Sequence, residues 1–172
     1  MKKLIILSAF SFLIVAAAGA QEIFQKGTSV ANIGIGLGHY VPIQASYEYS
    51  VVDGLIEGEN GAIGVGGYLA YYGHSENLYG GKFSYSDVVI GARGSFHYQF
   101  VDKLDTYAGL MLGYDIASAK WSGSGAETAA DGSGLSLSIL AGARYYFTPS
   151  VAAYGEIGYG LAYLSVGVAL KF

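Results

Sequence analysis

Hydrophobicity in this chain of 172 residues alternates with a period of two, and it does so in eight separate segments. Hydrophobic residues make up 52% of the chain and charged ones 13%, about half the usual charged share. Yet beyond the first twenty residues no apolar run approaches the roughly 18 residues that a membrane helix needs. So much apolar surface, divided among short alternating stretches, can only lie on one face of β-strands. The 27 glycines and 16 tyrosines agree, since helices disfavour Gly and strands favour Tyr.

The segments run Ser29–Gly38, Ile43–Val51, Ala62–Tyr72, Ser86–Phe100, Thr106–Ser118, Leu135–Phe147, Val151–Leu161 and Tyr163–Phe172. Each has at least the roughly nine residues with which a tilted strand crosses a bilayer. Turn chemistry separates them at Asp53-Gly54, at 101–105 and at Thr148-Pro149-Ser150. The connections 74–84 and 119–134 are longer, and the second holds two Gly/Ser runs. Short turns on one side and longer loops on the other suit an antiparallel up-and-down transmembrane barrel of eight strands.

Ring placement supports this. With both chain ends on the lower side, even-numbered segments run downward. Their outward rings at the lower end are Tyr49, Tyr98, Phe100, Tyr145, Phe147 and Phe172. Three rising segments carry an outward ring at the upper end: Tyr71, Tyr114 and Tyr159. Two aromatic girdles around an aliphatic band are what bilayer interfaces favour. A soluble lipocalin-like barrel would need the opposite arrangement, apolar inside and polar outside.

The opposite faces are polar or small, with Glu48, Arg93, His97, Asp115, Arg144 and Glu156 among their side chains. A barrel of about eight strands leaves an interior that side chains just fill. If Phe100 pairs with Thr106 and Phe147 with Val151, then Arg93 faces Gly113 with Asp115 one diagonal on. Arg144 likewise faces Tyr154 with Glu156 one diagonal on. Diagonal neighbours are within reach of such long side chains. The expected lumen pairs are therefore Arg93–Asp115 and Arg144–Glu156, with Glu48 a third acid, because buried charges need partners.

The N-terminus has export chemistry. Met1-Lys2-Lys3 is a basic start, Leu4 to Val15 an apolar core of 12 residues, and Ala18-Gly19-Ala20 an A-x-A site. The expected division is a cleaved signal peptide over 1–20 and one barrel domain over 21–172, beginning at Gln21. Without Lys2 and Lys3, seven of the nine basic residues face 13 acidic ones, a net charge of −6. That argues against nucleic acid as a partner. With no cysteine there is no lipid attachment, disulfide or thiolate chemistry.

The last eight residues, Ser165 to Phe172, alternate again. Ser165, Gly167, Leu170 and Phe172 occupy the four places of the terminal assembly signal of bacterial outer-membrane barrels. Together with the signal peptide, eight strands, girdles and charged lumen, this resembles the small eight-stranded outer-membrane barrels of the OmpA barrel-domain and OmpX type. The resemblance implies residence among outer-membrane lipids and insertion by the barrel-assembly machinery, which would read Ser165 to Phe172. The chain stops at Phe172, so the wall-binding periplasmic domain of full-length OmpA proteins does not carry over.

No catalytic, metal or cofactor constellation is expected. Gly34-x-Gly36-x-Gly38 lacks the spacing of a nucleotide loop. His39 and His74 sit at loop ends, with no carboxylate at metal spacing. Ser95 and His97 are two apart, as in some outer-membrane lipid A deacylases, but in reversed order and facing inward. A satisfied interior histidine explains them better. The expectation is a non-enzymatic structural or surface-interaction protein acting through loops 73–84 and 119–134, with Trp121 either an anchor for a ligand or an interfacial ring. The alternatives are a narrow pore for small or hydrophobic solutes and, behind it, a lipid-modifying enzyme.

Overall fold

The computed structural model describes residues 23–38, 41–56, 61–78, 81–123 and 129–172. The expected signal peptide, with cleavage residues Ala18, Ala20 and Gln21, lies outside the described residues, as does His39. Eight long strands and one short one make a single sheet: β1 (Ser29–Leu37), β2 (Ile43–Val52), β3 (Gly61–Leu78), β4 (Gly81–Val101), β5 (Leu104–Gly123), β6 (Ala129–Asp131), β7 (Gly134–Tyr146), β8 (Val151–Tyr159) and β9 (Leu164–Lys171). All neighbours are antiparallel. β1 pairs with both β2 and β9, and β5 with both β4 and β7, so the sheet closes into a barrel of eight strands. β6 is an added ribbon on the upper part of β5, with Ser118 opposite Asp131.

Alternation decides inside from outside. Ile33 and Leu137 on the outer wall are 61% and 62% exposed, whereas Glu48 and Arg144 inside are 0% exposed. Apolar side chains outside and charged ones within define a barrel whose solvent is lipid. Tyr49, Tyr71, Phe100, Tyr114, Phe147, Tyr159 and Phe172 are exposed. Tyr98 and Tyr145 pack edge-on beside Phe100 and Phe147, with ring centroids 4.6 and 5.6 Å apart.

Two sequence expectations change. First, the stretches expected as loops 74–84 and 119–134 are largely strand. The β3–β4 ladder continues to Leu78 opposite Gly81, and β4–β5 to Gly81 opposite Gly123. Three strands therefore project beyond the row of Tyr71, Val88 and Ile116. The alternation persists there but its polarity inverts. Outward positions above that row are Ser75, Lys82, Ser84, Ser86, Ser118, Lys120 and Ser122, while the inward face holds His74, Phe83, Tyr85 and Trp121. A search for apolar-out strands stops where the bilayer stops.

Second, the β4–β5 register is two residues from that expected. Tyr98, not Phe100, lies opposite Thr106, and Arg93 lies opposite Met111 rather than Gly113. The turn is only Asp102-Lys103, with Lys103 at φ 64°, and an irregularity between Tyr98 and Val101 precedes it. Leu104 and Asp105, expected in the turn, become strand. On the β7–β8 hairpin Arg144 does face Tyr154, as expected.

Candidate functional site

The buried charges form one layer across the lumen. Glu48, Arg93, His97, Asp105, Arg144 and Glu156 are all under 9% exposed. Each arrives by parity: β2 contributes Glu48, β4 Arg93 and His97, β5 Asp105, β7 Arg144, and β8 Glu156.

Neither expected pair forms. Asp115 lies opposite Val89 and Gly134, four positions and roughly 13 Å along β5 from the residue facing Arg93. Arg93 instead reaches across the lumen to Glu156, with Nη2 to Oε1 at 2.7 Å, and lies 3.8 Å from Glu48. Arg144 turns away from Glu156. It donates to Asp105 at 2.9 Å, Glu48 at 2.5 Å and Asn32 at 3.1 Å. Asp105 is the neighbour of Arg144 on the other side of its strand, directly opposite in the β5–β7 ladder. The Tyr107 ring separates the two arginines, 4.4 Å from the Arg144 guanidinium and 5.3 Å from that of Arg93. Its hydroxyl donates to Glu156 at 2.8 Å. The ring fits because residue 142 is glycine: a Cβ there would meet Tyr107 Cζ at 2.7 Å.

His97 completes the layer. Its Nδ1 lies 2.8 Å from Asp105 Oδ1 and its Nε2 3.1 Å from Glu48 Oε1. Carboxylates only accept, so donation from both ring nitrogens requires an imidazolium. Two arginines and one imidazolium then balance Glu48, Asp105 and Glu156, as a buried group of charges must. Ser95 Oγ is buried without a hydrogen bond, and both His97 nitrogens are engaged by acids. A Ser–His nucleophile is not assembled.

The layer is capped on both sides. Above it Gln44, Tyr68, Tyr154 and Ser165 share hydrogen bonds centred on Gln44, and Ala70, Val89, Met111 and Leu161 pack beyond. A cavity of about 30 Å³ between Tyr68, Ser138 and Glu156 has room for about one water. Below it sits a segment the periodicity missed. Ile23 and Phe24, 5% and 7% exposed, enter the lower mouth ahead of β1. Phe24 stacks on His97 with centroids 3.9 Å apart, and the Ile23 amide donates to Gln99 Oε1 at 2.9 Å. Lys171 Nζ donates to the Ile23 carbonyl at 3.4 Å.

Of the terminal signal residues, Ser165 faces the lumen, where its hydroxyl donates to Gln44 at 3.3 Å. Leu170 and Phe172 face outward. The backbone of Phe172 exchanges two hydrogen bonds of 3.0 Å with Ser29, at the seam where the barrel closes.

An even-stranded antiparallel barrel with an apolar exterior, ringed ends and a packed charged lumen is an outer-membrane β-barrel protein. Solved structures share the fold. Ail, the attachment invasion locus protein of Yersinia pestis, superposes with a TM-score of 0.57 at 17% identity, over 86% of this chain and all of that one. The same protein in complex with the heparin analogue sucrose octasulfate gives 0.57 at 15%, with the same coverage. A de novo designed transmembrane β-barrel gives 0.52 at 14%, over 86% of this chain and 98% of that one. No family model matches the chain, and no curated protein matches it.

Proposed function

We propose that this protein is a non-enzymatic component of the outer membrane that meets extracellular partners through the sheet of β3, β4 and β5 above the upper girdle. The observation that carries this is the polarity inversion. Above the bilayer these strands turn a serine- and lysine-bearing face outward and gather Phe83, Tyr85 and Trp121 on the other. Rings left half-buried on a projecting sheet are typical material for recognition. The filled lumen supports this role over a pore, because charged, hydrogen-bonded and apolar layers occupy it in succession. The girdle tyrosines and phenylalanines act as interfacial anchors, and Ser165, Gly167, Leu170 and Phe172 as the segment read by the barrel-assembly machinery.

The test removes the projection and keeps the barrel. A variant with 73–84 and 119–134 replaced by short turns should still reach the outer membrane. It should lose binding to the purified extracellular glycans and proteins that the intact protein captures from an array. An unchanged binding profile would overturn the proposal.

A further inference from the structure

The two faces of the projecting sheet differ in charge as well as polarity. Lys82 and Lys120 stand on the outward face, whereas the inward face carries Glu76, which His74 Nε2 meets at 3.1 Å, then Asp87 and, one inward position lower, Asp115. Neither lysine nor arginine occupies an inward position among the described residues of these three strands above Arg93. Between the acids lies a ladder of rings. Trp121 and Phe83 have centroids 4.6 Å apart, Phe83 and Tyr85 6.0 Å, and Tyr85 and His74 6.4 Å. Trp121 packs against Gly81, where a Cβ would sit 2.6 Å from Cη2.

The spacing is regular. Glu76 is opposite Phe83, and Asp87 is four residues along β4 from Phe83. Glu76 therefore marks one end of the ladder and Asp87 the other, roughly 13 Å apart at the usual strand rise, with Asp115, opposite Val89, one inward position further on. One oxygen of Asp115, Oδ1, is buried without a hydrogen bond. The Asp87 carboxyl is raised from its ordinary value, first by its burial and then by the negative charge of Asp115. The lower end thus holds excess negative charge that a cation would relieve. Below it the face continues past Tyr72 into a cavity of about 210 Å³ at the upper mouth, bordered by Pro42, Leu161 and Tyr163.

We infer that the inward face of the projecting sheet binds an extended, basic polypeptide segment, with cationic side chains four residues apart reaching Glu76 at one end and Asp87 with Asp115 at the other. This rests on the proposal that the projecting sheet is the interaction surface, and it names the class of partner. An extended peptide advances about 3.4 Å per residue, so cations at i and i+4 match the separation of the acids. A guanidinium can pair with a carboxylate and lie against an aromatic face at once. The acids of this face repel sulfated glycans and nucleic acids.

Trp121 is the chain's one tryptophan, so its emission reports on the ladder directly. The intact protein, held in phosphatidylcholine vesicles that carry neither net lipid charge nor tryptophan, is titrated with the capped peptide Arg-Gly-Ser-Gly-Arg. A saturable emission change is expected, weakened by added salt. The Asp87→Asn/Asp115→Asn variant, which keeps side-chain shape, should raise the half-saturating concentration about tenfold, as loss of a charge-assisted contact does. Lys82→Gln/Lys120→Gln should leave it within about twofold, because those charges lie on the other face and are screened. A flat titration overturns the inference. So does an equal response to Glu-Gly-Ser-Gly-Glu, or an unshifted midpoint in the Asp→Asn variant. If the basic peptide fails but array binding still depends on the projection, the interaction surface stands and only the cationic class falls. If array binding is also indifferent to the projection, both fall.

Discussion

Replacing Arg144 by Met tests whether the lumen layer is one electrostatic unit. Arg144 is fully buried and makes three hydrogen bonds, two of them to carboxylates. Its loss leaves Glu48, Asp105 and Glu156 facing only Arg93 and His97, a net charge of −1 in the layer. Breaking a buried pair in this way costs about 3–5 kcal/mol. Asp105→Asn alone leaves the layer at +1 and should cost a similar amount. The double variant restores neutrality, since Arg93 and His97 then balance Glu48 and Glu156. Its cost should therefore fall short of the sum of the single costs by about 1–3 kcal/mol, the coupling usual within one charge network. Urea unfolding in phospholipid vesicles, followed by far-ultraviolet circular dichroism, measures all four corners of the cycle. Single costs that add to within about 0.5 kcal/mol would refute the idea that the layer is held by its charge balance.

Phe24→Ala should lower stability by about 3 kcal/mol, as for other buried rings, and planar-bilayer recordings should still show no steady channel, because the charged layer remains above it. Gly142→Val should cost about 1–3 kcal/mol through overpacking, displacing Tyr107 from between the arginines; urea midpoints check it. Deleting Phe172 removes two seam hydrogen bonds and a lipid-facing ring, so the level of assembled protein in isolated outer membranes should fall sharply. Asp87 has a raised carboxyl in the folded sheet, so its ionisation destabilises that sheet as pH rises through the folded value, and acidification relieves the strain. Asp87→Asn should accordingly slow amide exchange in β3–β5 at neutral pH and have no effect at pH values below the carboxylate range.

The barrel was legible because parity is local: Glu48 and Arg144 occupy inward positions, Ile33 and Leu137 outward ones, and any reader of the alternation can see it. Partners are another matter. Parity says that Arg93 and Glu156 face the lumen but not that they meet across it; Arg144 does bond a ladder neighbour, but it is Asp105 on the β5 side rather than Glu156 on the β8 side. Asp105 lies in step with Tyr107 and Met111 on the inward face of β5, yet turn-forming chemistry around Asp102 hid it. Phe24 precedes every periodic segment, and only three-dimensional closure brings it beneath His97. The upper parts of β3, β4 and β5 escaped notice because their alternation keeps its period while exchanging its sign.

That exchange of sign also acts as a depth gauge. On β4 the outward side chains from Tyr98 to Val88 lie ten residues apart, which at the usual rise and a tilt of about 40° spans roughly 26 Å, close to the height of an outer-membrane apolar band. Immediately above come Ser86, Ser84 and Lys82. If the barrel sank, these and Ser118 and Lys120 would enter hydrocarbon; if it rose, Val88, Ile116 and Tyr71 would meet water. Either displacement is penalised on three adjacent strands together. This side of the wall therefore sets how thick a membrane the protein tolerates, and a thicker bilayer must thin locally around β3, β4 and β5 before it can tilt or lift them.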